Sequence, residues 1–327
     1  MSIKNLLDLA KKVHRFPNDP LRYFDDAGSI SINGRMHLVK VDGYALSRSL
    51  YPWCTPQDWG YRAVSTAVSD VLAKGAIPLA YAVSIGLPPD WGSRELESVV
   101  DGVLEAVNDF GGYLVNVDTN YGGDGWIDVF VLAEYVTTPI PRASRRGDIL
   151  IIPRKLGFGG ANYLAYASRM KLPRHLATWG CRPRPPATIV RVLREARIGI
   201  TGSIDVSDTL YESLYGLLAL DDLGPYIDTD PRSVLISEYI GMCMELDIEL
   251  EDCALMTCEE YVPILSVKPG FVDSLMDRLR SAGFDPIVLG VSVSKDLASW
   301  RGRPLKEIVW DHLTDSTTVR ANYVKSF

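Results

Sequence analysis

Hydrophobic and polar residues alternate along a short segment near the N-terminus. Residues 29–38 read Ser-Ile-Ser-Ile-Asn-Gly-Arg-Met-His-Leu, with alternation on both sides of Asn33-Gly34. Asn-Gly is a dipeptide that type I′ turns prefer, because both central residues need positive φ angles. The pattern predicts a β-hairpin, with Asp26 before it and Asp42 at the end of its second strand.

Apolar residues recur every three or four positions between 60 and 72, which is typical of a helix with one buried face. Gly75 stands where such a helix would stop. Asp70 lies beside the apolar face, where an unpaired charge is unfavourable. Two interpretations stay open: Asp70 pairs with Lys74 one turn further on, or it belongs to a functional cation site.

Strand-like and helix-like segments continue to alternate over the rest of the chain. They predict strands at 78–85, 113–117, 126–136, 148–152, 198–203, 254–257, 263–267 and 287–293. They predict helices at 96–107, 187–197, 209–220, 232–246 and 271–282. Pro139, Pro141 and the basic segment 142–146 separate two halves. We therefore expect an α+β protein with two domains, residues 1–140 and 141–327.

The composition is that of a globular protein without a nucleic-acid or membrane partner. The 327 residues are 47% hydrophobic and 23% charged, and the net charge of −7 offers no basic surface for nucleic acid. The sequence contains no signal peptide and no apolar run of membrane-spanning length. Its five cysteines form no C-x-x-C pair, which argues against a disulfide framework or a zinc site and favours a reducing, cytoplasmic compartment.

Aspartates that stand just outside predicted strands and helices are the main candidates for chemistry. At an effective dielectric constant near 20, two carboxylates about 4 Å apart repel by roughly 4 kcal/mol, so a fold that gathers several of them needs cations. Mg²⁺ commonly bridges protein carboxylates to nucleotide phosphates, and the pattern therefore predicts magnesium–nucleotide chemistry. The aspartates concerned are Asp25, Asp26, Asp42, Asp70, Asp118, Asp205 and Asp208.

Some of these segments also have ordinary structural interpretations. In Asp205-Val-Ser207-Asp208, Ser207 or Asp208 merely caps the next helix, or the carboxylates and the hydroxyl converge on phosphate and metal at the helix N-terminus. Asp25-Asp26 is equally compatible with a solvated turn. The glycine-rich segment Gly157-Phe-Gly159-Gly160 lacks the Lys-Ser/Thr of a P-loop, so we expect a plain turn there.

Several short motifs resemble, in the same order, those of the thiamine-monophosphate kinase family, within the superfamily of aminoimidazole ribonucleotide synthetase and selenophosphate synthetase. Asp205-Val-Ser207-Asp208 resembles the family's most distinctive motif, Asp-Ile-Ser-Asp-Gly-Leu. The other similar segments are Phe24-Asp25-Asp26-Ala27, Val41-Asp42, Val68-Ser69-Asp70, Lys74-Gly75-Ala76-Ile77-Pro78, Val117-Asp118-Thr119, Arg142, Gly147-Asp148, Glu259-Glu260-Tyr261 and Trp310-Asp311-His312-Leu313. Together they cover nearly the whole chain.

The resemblance implies ATP-dependent phosphorylation of thiamine monophosphate to thiamine diphosphate by direct in-line transfer, with Mg²⁺ as cofactor. It implies a homodimer whose N-terminal mixed sheets pair, a C-terminal sheet of ferredoxin-like type with helices, and an ATP site in the cleft between the domains. The implied catalytic residues are Asp70 and Asp208, the ATP contacts Arg142 and Ser207, and the substrate contacts Glu259 and Trp310. The implied metal ligands are Asp26, Asp42, Asp70, Asp118, Asp205 and Asp208.

The chain departs from the family's motifs mainly in residues near the expected substrate. Lys40 replaces a hydroxyl residue, Ser49 replaces a substrate-contacting histidine, and Cys258 replaces a glycine. Two further hypotheses therefore remain: an ATP-dependent enzyme of the same superfamily with a different small acceptor, and a catalytically silent nucleotide-binding protein. The sequence also leaves open whether Glu259 or Glu260 faces the substrate.

Overall fold

The first half of the chain forms a five-stranded mixed sheet in this computed structural model, which describes residues 11–13 and 16–308. Its strands are β1 (Gly28–Ile32), β2 (Arg35–Ala45), β3 (Ala76–Leu87), β4 (Tyr113–Tyr121) and β5 (Trp126–Tyr135). They lie in the order β1-β2-β5-β3-β4, and the β3–β4 pair is parallel while the other pairs are antiparallel. Because β4 continues to Tyr121, Asp118 lies within this strand and not after it.

The predicted hairpin is confirmed. Asn33 and Gly34 have φ angles of 51° and 77°, as a type I′ turn requires. They set a register in which Ile32 lies opposite Arg35 and Gly28 lies opposite Val39. The turn therefore positions the whole of β2, including the residues that precede Asp42.

Helices cover one face of this sheet. They are α1 (Leu46–Ser49), α2 (Pro56–Ala73) and α3 (Ser93–Phe110). The predicted helix at 60–72 begins four residues earlier, because Thr55 and Asp58 form a capping box and Pro56 occupies the first turn. Gly60 and Gly102 allow α2 and α3 to approach closely, since a Cβ at Gly60 would lie 2.0 Å from the carbonyl oxygen of Val99.

The second half forms a seven-stranded sheet covered by further helices. Its strands are β6 (Ile149–Ile152), β7 (Ile200–Asp205), β8 (Leu223–Ile227), β9 (Pro263–Val267), β10 (Ile287–Ser294), β11 (Ser299–Trp300) and β12 (Arg303–Pro304). Its helices are α4 (Phe158–Ser168), α5 (Arg174–Cys181), α6 (Ile189–Ala196), α7 (Leu210–Leu218), α8 (Pro231–Val234), α9 (Ser237–Glu245), α10 (Leu250–Met256) and α11 (Val272–Ser281). Single 3₁₀ turns lie at Arg197–Gly199, Ala219–Asp221, Pro269–Phe271 and Lys295–Leu297.

The second sheet has the strand order β12-β11-β8-β10-β6-β9-β7, with β11 and β8 parallel. Two mixed sheets with helices confirm the predicted α+β class. The chain passes from one sheet to the other between Tyr135 and Ile149. A domain boundary at residue 140 and a ferredoxin-like topology stay predictions.

The two halves share part of their hydrophobic core. Helix α2 is buried from Trp59 to Ala73. Its Val64 and Val68 belong to the same cluster of buried side chains as Leu193 of α6 and Leu265 of β9. Helix α2 therefore packs against both halves, and residues along it can contact loops from either one.

Two secondary-structure predictions were wrong. The predicted strand at 254–257 lies largely in α10, where Ala254, Leu255 and Met256 are all buried. A short run that is apolar on every side carries no periodicity, so it does not distinguish a buried strand from a buried helix. The predicted helix at 232–246 is interrupted at Leu235 and Ile236, and this break separates α8 from α9.

The expectation that the cysteines form no disulfides was also wrong. Cys54 is bonded to Cys181, and Cys243 is bonded to Cys253, while Cys258 is a buried free thiol. Cys54 and Cys181 are 127 residues apart in the chain, yet their Cα atoms lie 5.4 Å apart. Sequence spacing carried no signal for this pair because tertiary folding brings the two segments together. The bond links the loop before α2 to the end of α5.

In the part of the chain that the structure describes, no helix is both long enough and apolar enough to cross a membrane.

Candidate active site

Three of the predicted metal ligands come together between the two halves of the molecule. One carboxylate oxygen each from Asp26, Asp70 and Asp205 lies within 4.8 Å of the others. Asp26 precedes β1, Asp70 lies in the last turn of α2, and Asp205 ends β7. Three segments that are distant in sequence thus supply one group of carboxylates, which we call the acidic cluster.

The carboxylates of the acidic cluster lack full compensation by protein groups. Burial raises the pKa of Asp70 well above its ordinary value, and the nearby charge of Asp205 adds to this. Asp205 accepts a hydrogen bond of 2.6 Å from the hydroxyl of Ser69 through Oδ2. Its Oδ1 is buried and has no hydrogen-bond partner among the described residues. This set of oxygen donors with an unpaired buried oxygen fits a hard divalent cation such as Mg²⁺.

Lys40 supplies one positive charge to the acidic cluster. Its Nζ lies 2.5 Å from Oδ2 of Asp70 and 3.2 Å from Oδ2 of Asp42. Burial alone would lower the pKa of Lys40, but Asp70 and Asp42 outweigh it and hold the pKa well above its ordinary value. The ammonium group therefore stays charged, and it connects Asp42 to the cluster.

Lys74 supplies a second charge, but not to the partner that its position in the helix suggests. Its fully buried Nζ lies 2.6 Å from Oδ1 of Asp25 and 3.4 Å from Oδ2 of Asp26, and it donates to the carbonyl of Ser203 at 2.8 Å. The pairing of Lys74 with Asp70 was therefore wrong. Asp25 and Asp26 do not form a solvated turn either, because their side chains are at most 9% exposed.

Arg142 marks a pocket beside the acidic cluster. Its guanidinium group forms an ion pair with Asp26 and donates to the carbonyl of Phe24 at 2.8 Å. The pocket is lined by Phe24, Asp26, Arg142, Ser207, Asp208 and Tyr215, among others. A cation and carboxylates in the lining of one pocket suit a nucleotide that carries metal-bound phosphates.

The predicted motif residues Ser207 and Asp208 line this pocket and do not cap the following helix. Thr209 is the N-cap of α7, and its side chain accepts a hydrogen bond from the backbone N–H of Glu212 at 3.1 Å. The capping interpretation of Ser207 and Asp208 was therefore wrong.

Asp118 is a predicted metal ligand that the structure places apart from the acidic cluster. Asp118 is exposed on β4, and its Oδ2 accepts a hydrogen bond from the side chain of Asn120 at 3.0 Å. It does not belong to the acidic cluster. Trp310 lies outside the described residues.

Glu260 has a structural role at the glycine-rich turn. Its fully buried Oε1 accepts from the backbone N–H groups of Gly157 and Gly159 at 2.8 and 3.1 Å and from the hydroxyl of Thr257 at 2.7 Å. Burial raises the pKa of Glu260, while Arg154 and these hydrogen bonds oppose the shift. The Glu260 carboxylate thus occupies the N-terminus of α4. The backbone N–H groups there bind this carboxylate and not a phosphate, as expected of a plain structural turn.

Glu259 instead presents its carboxylate to the cleft between the two halves. The Oη of Tyr51 donates to Glu259 Oε2 at 3.0 Å, and Arg62 forms an ion pair with Oε1. The φ angle of Glu259 is 53°, a conformation that costs a non-glycine residue free energy and often occurs at functional sites. Its backbone N–H donates to the carbonyl of Ser207 at 2.7 Å, which joins this residue directly to the nucleotide side.

Arg62 is a site residue that the sequence reasoning missed. It is 3% exposed on α2, donates to the carbonyl of Ser49 at 2.6 Å, and has its guanidinium carbon 4.7 Å from the ring centroid of Tyr51. Its Nε is buried without a hydrogen-bond partner among the described residues. An arginine inside a helix that is otherwise buried and largely apolar was the available signal.

An aromatic cluster surrounds this ion pair. Tyr51 stacks on Trp53 with ring centroids 5.0 Å apart and meets Tyr166 edge-on at 5.7 Å. Trp179 stacks on Tyr261 at 6.2 Å. We call these five residues the aromatic cluster. Its members come from both halves, and the bond between Cys54 and Cys181 lies next to it in the chain.

The first half of the chain is similar to a known protein family. Residues 24–134 match the family model described as AIR synthase related protein, N-terminal domain. A curated thiamine-monophosphate kinase of Pyrobaculum calidifontis is 31% identical over 241 residues, which are 71% of this chain and 74% of that protein.

Two solved structures have the same fold over nearly their whole length. The crystal structure of tt0281 from Thermus thermophilus matches with a TM-score of 0.83 at 26% sequence identity. The match covers 94% of this chain and 98% of the tt0281 chain. The structure of AaThiL complexed with AMPPCP and TMP matches with a TM-score of 0.79 at 20% sequence identity. That match covers 96% of this chain and 99% of the AaThiL chain. At this identity the second likeness establishes the fold alone.

Proposed function

We propose, from the premise that this chain belongs to the thiamine-monophosphate kinase family, that it transfers the γ-phosphoryl group of ATP to thiamine monophosphate. The products are thiamine diphosphate and ADP. The observation that carries the proposal is the direct contact between the two sides of the cleft, where the N–H of Glu259 binds the carbonyl of Ser207. One pair of adjoining loops thereby holds a phosphate-binding side and an organic acceptor side together.

The acidic cluster and the Arg142 pocket form the nucleotide side. We assign Asp26, Asp70 and Asp205 as metal ligands on their proximity and on the unpaired oxygen of Asp205. We assign Arg142 and Ser207 to ATP because they line the pocket beside the cluster. We keep Asp42, Asp118 and Asp208 as metal ligands on the motif resemblance. Bound Mg²⁺ would neutralise phosphate charge during transfer.

The reaction needs alignment more than a general base. An acceptor phosphate already carries an anionic oxygen at neutral pH, which forms the new bond to the γ-phosphorus while the bond from that phosphorus to the β-bridging oxygen breaks. The electron pair of the broken bond leaves with ADP. Arg142 is therefore expected to help hold the phosphates in line directly, and the carboxylates would do so only through the Mg²⁺ that they bind.

The acceptor side offers groups that suit a thiamine ring system. A thiazolium ring is a flat cation, and the ring faces of the aromatic cluster attract such a group beside the Glu259 carboxylate. Burial raises the pKa of Tyr51 well above its ordinary value, and Glu259 adds to this, so Tyr51 stays a neutral donor to the carboxylate. Arg62 holds the other oxygen of Glu259 and acts as a positioning residue for it.

We also propose the homodimer that the resemblance implies, formed through the first sheet. Val41 and Phe130 lie opposite each other on β2 and β5 and are 65% and 42% exposed. Val39 and Leu132 form the next pair on the same face. An exposed apolar sheet face of this kind is typical of an interaction surface. A cytoplasmic location stays a prediction.

The experiment that tests the function is a product assay. The purified protein is incubated with ATP, Mg²⁺ and thiamine monophosphate, and thiamine diphosphate is measured by mass spectrometry. We expect product from the wild type and a decrease of about 100-fold or more for Asp208→Asn, as for other losses of a transition-state charge contact. Asp277→Asn, on the exposed face of α11, is the matched control and should keep full activity.

Two outcomes would contradict the proposal in different ways. If the wild type binds AMPPCP but forms no thiamine diphosphate, the acceptor assignment is wrong. If Asp208→Asn is as active as Asp277→Asn, the motif aspartate has no part in the reaction.

A further inference from the structure

We propose that the ammonium group of Lys40 occupies the place of one cation in the acidic cluster, so that the cluster binds one divalent ion fewer than it would with a neutral residue at position 40. This inference rests on the proposed function, because it concerns the metal–nucleotide side of the same site.

The alternation of β2 directs Lys40 into the cluster. Lys40 and Asp42 are two residues apart in the strand, so their side chains leave it on the same face. Buried Leu38 lies on that face too, whereas Val41 on the other face is 65% exposed. Leu38 belongs to the same cluster of buried side chains as Val68 of α2, and Asp70 also belongs to α2. The contacts of Lys40 with Asp70 and Asp42 therefore follow from the register of the hairpin and not from a chance surface rotamer.

Lys40 has different partners from the other two cations at the site. Lys74 contacts Asp25 and Asp26, and Arg142 also contacts Asp26. Of these cations, Lys40 is the one paired with Asp70 and Asp42. The Asp205 carboxylate accepts a hydrogen bond from the neutral hydroxyl of Ser69.

The charges that remain determine how many ions the cluster can take. Among the groups that these contacts join, and with every carboxylate ionised as in a metal-bound cluster, Asp25, Asp26, Asp42, Asp70 and Asp205 supply five negative charges, and Lys40, Lys74 and Arg142 supply three positive ones. The excess of two negative charges is balanced by one divalent ion. A neutral residue in place of Lys40 would raise the excess to three, and Asp42 and Asp70 would lose their cation. Two buried carboxylates without a cation repel strongly, so a second ion would then bind.

Counting bound ions tests the proposal independently of turnover. Mn²⁺ binding is measured by equilibrium dialysis in the presence of AMPPCP, for the wild type and for Lys40→Met, which keeps the length of the side chain and removes its charge. We expect one more Mn²⁺ per chain in Lys40→Met than in the wild type. Lys268→Met is the matched control, because Lys268 lies outside the cluster and its Nζ binds the carbonyl of Ile198. It should bind the wild-type number.

A second variant protects the test against misfolding. Removing Lys40 leaves Asp70 unpaired and could prevent folding without metal, so Lys40→Arg, which keeps the charge, is measured alongside and should bind the wild-type number. Thermal unfolding in EDTA and in Mn²⁺ should show a larger metal-dependent rise in Tm for Lys40→Met than for Lys40→Arg. A purely structural lysine would change the Tm in EDTA without changing the ion count.

The outcomes separate this inference from the proposed function. Equal, non-zero counts for the wild type and Lys40→Met would overturn the role of Lys40 and leave the kinase proposal standing. A wild type that binds no Mn²⁺ in the presence of AMPPCP would overturn both.

Discussion

The two ends of the cleft between the halves of the molecule differ in how their buried charges are compensated. At the acidic cluster, carboxylates outnumber cations, and Asp205 keeps a buried oxygen without a protein partner among the described residues. At the aromatic cluster, Arg62 and Glu259 neutralise each other, and Tyr51 binds the remaining carboxylate oxygen. The first end is complete only with bound cations, whereas the second is organised before any ligand arrives.

The same contrast occurs between two neighbouring residues. Glu260 binds backbone N–H groups of the α4 N-terminus and is wholly buried, while the side chain of Glu259 is 22% exposed in the cleft. Both are glutamates in one loop, but one stabilises the fold and the other is available to a ligand. Exposure and the identity of the partner, and not residue type, distinguish the two roles.

The largest effect is expected at the acidic cluster. Asp205→Asn should lower thiamine diphosphate formation by about 100-fold or more, because a proposed metal ligand is lost. In EDTA the same variant should be more stable than the wild type, by on the order of 1–4 kcal/mol, since it removes a like charge beside Asp70. Product assays and urea unfolding in EDTA measure the two changes. A variant that is inactive and also less stable in EDTA would show that the cluster is not short of cations.

At the aromatic cluster, loss of charge should weaken function and stability together. Arg62→Met should raise the KM for thiamine monophosphate by roughly tenfold, with little change in the KM for ATP, because Glu259 loses the group that holds it. It should also lower the free energy of unfolding by about 3–5 kcal/mol, the range for removing one partner of a buried ion pair. Steady-state kinetics and urea unfolding measure the two changes, and Arg278→Met, which breaks a surface ion pair, is the control that should leave both nearly unchanged. An unchanged KM for the acceptor would remove Arg62 from the site.

The smallest effect is expected for the two adjoining glutamates. Glu260→Gln should lower the free energy of unfolding by about 1 kcal/mol, through loss of negative charge at a helix N-terminus, and leave both KM values unchanged. Glu259→Gln should instead raise the KM for the acceptor. The reverse result, with Glu260→Gln affecting acceptor binding, would exchange the roles assigned to the two residues.

Sequence patterns predicted much of the fold and part of the site. The Asn33-Gly34 turn and the apolar spacing between 60 and 72 predicted the hairpin and α2, because both depend on neighbouring residues. The segment 254–257 was assigned wrongly because a fully buried helix has no polar face to reveal its period. The aspartates were recognisable as candidates from their positions beside predicted strands and helices, although Asp42 and Asp118 lie within strands, but their partners were not recognisable.

The sequence by itself determined which residues could bind metal or phosphate and which local elements carry them, because turn chemistry and periodicity act over a few residues. Only the tertiary structure decided that Lys40, and not Lys74, pairs with Asp70, and that Cys54 is bonded to Cys181, 127 residues away. Ion pairs and disulfides depend on distances of a few ångströms between separate segments. Those distances are set by the packing of α2 between the two halves.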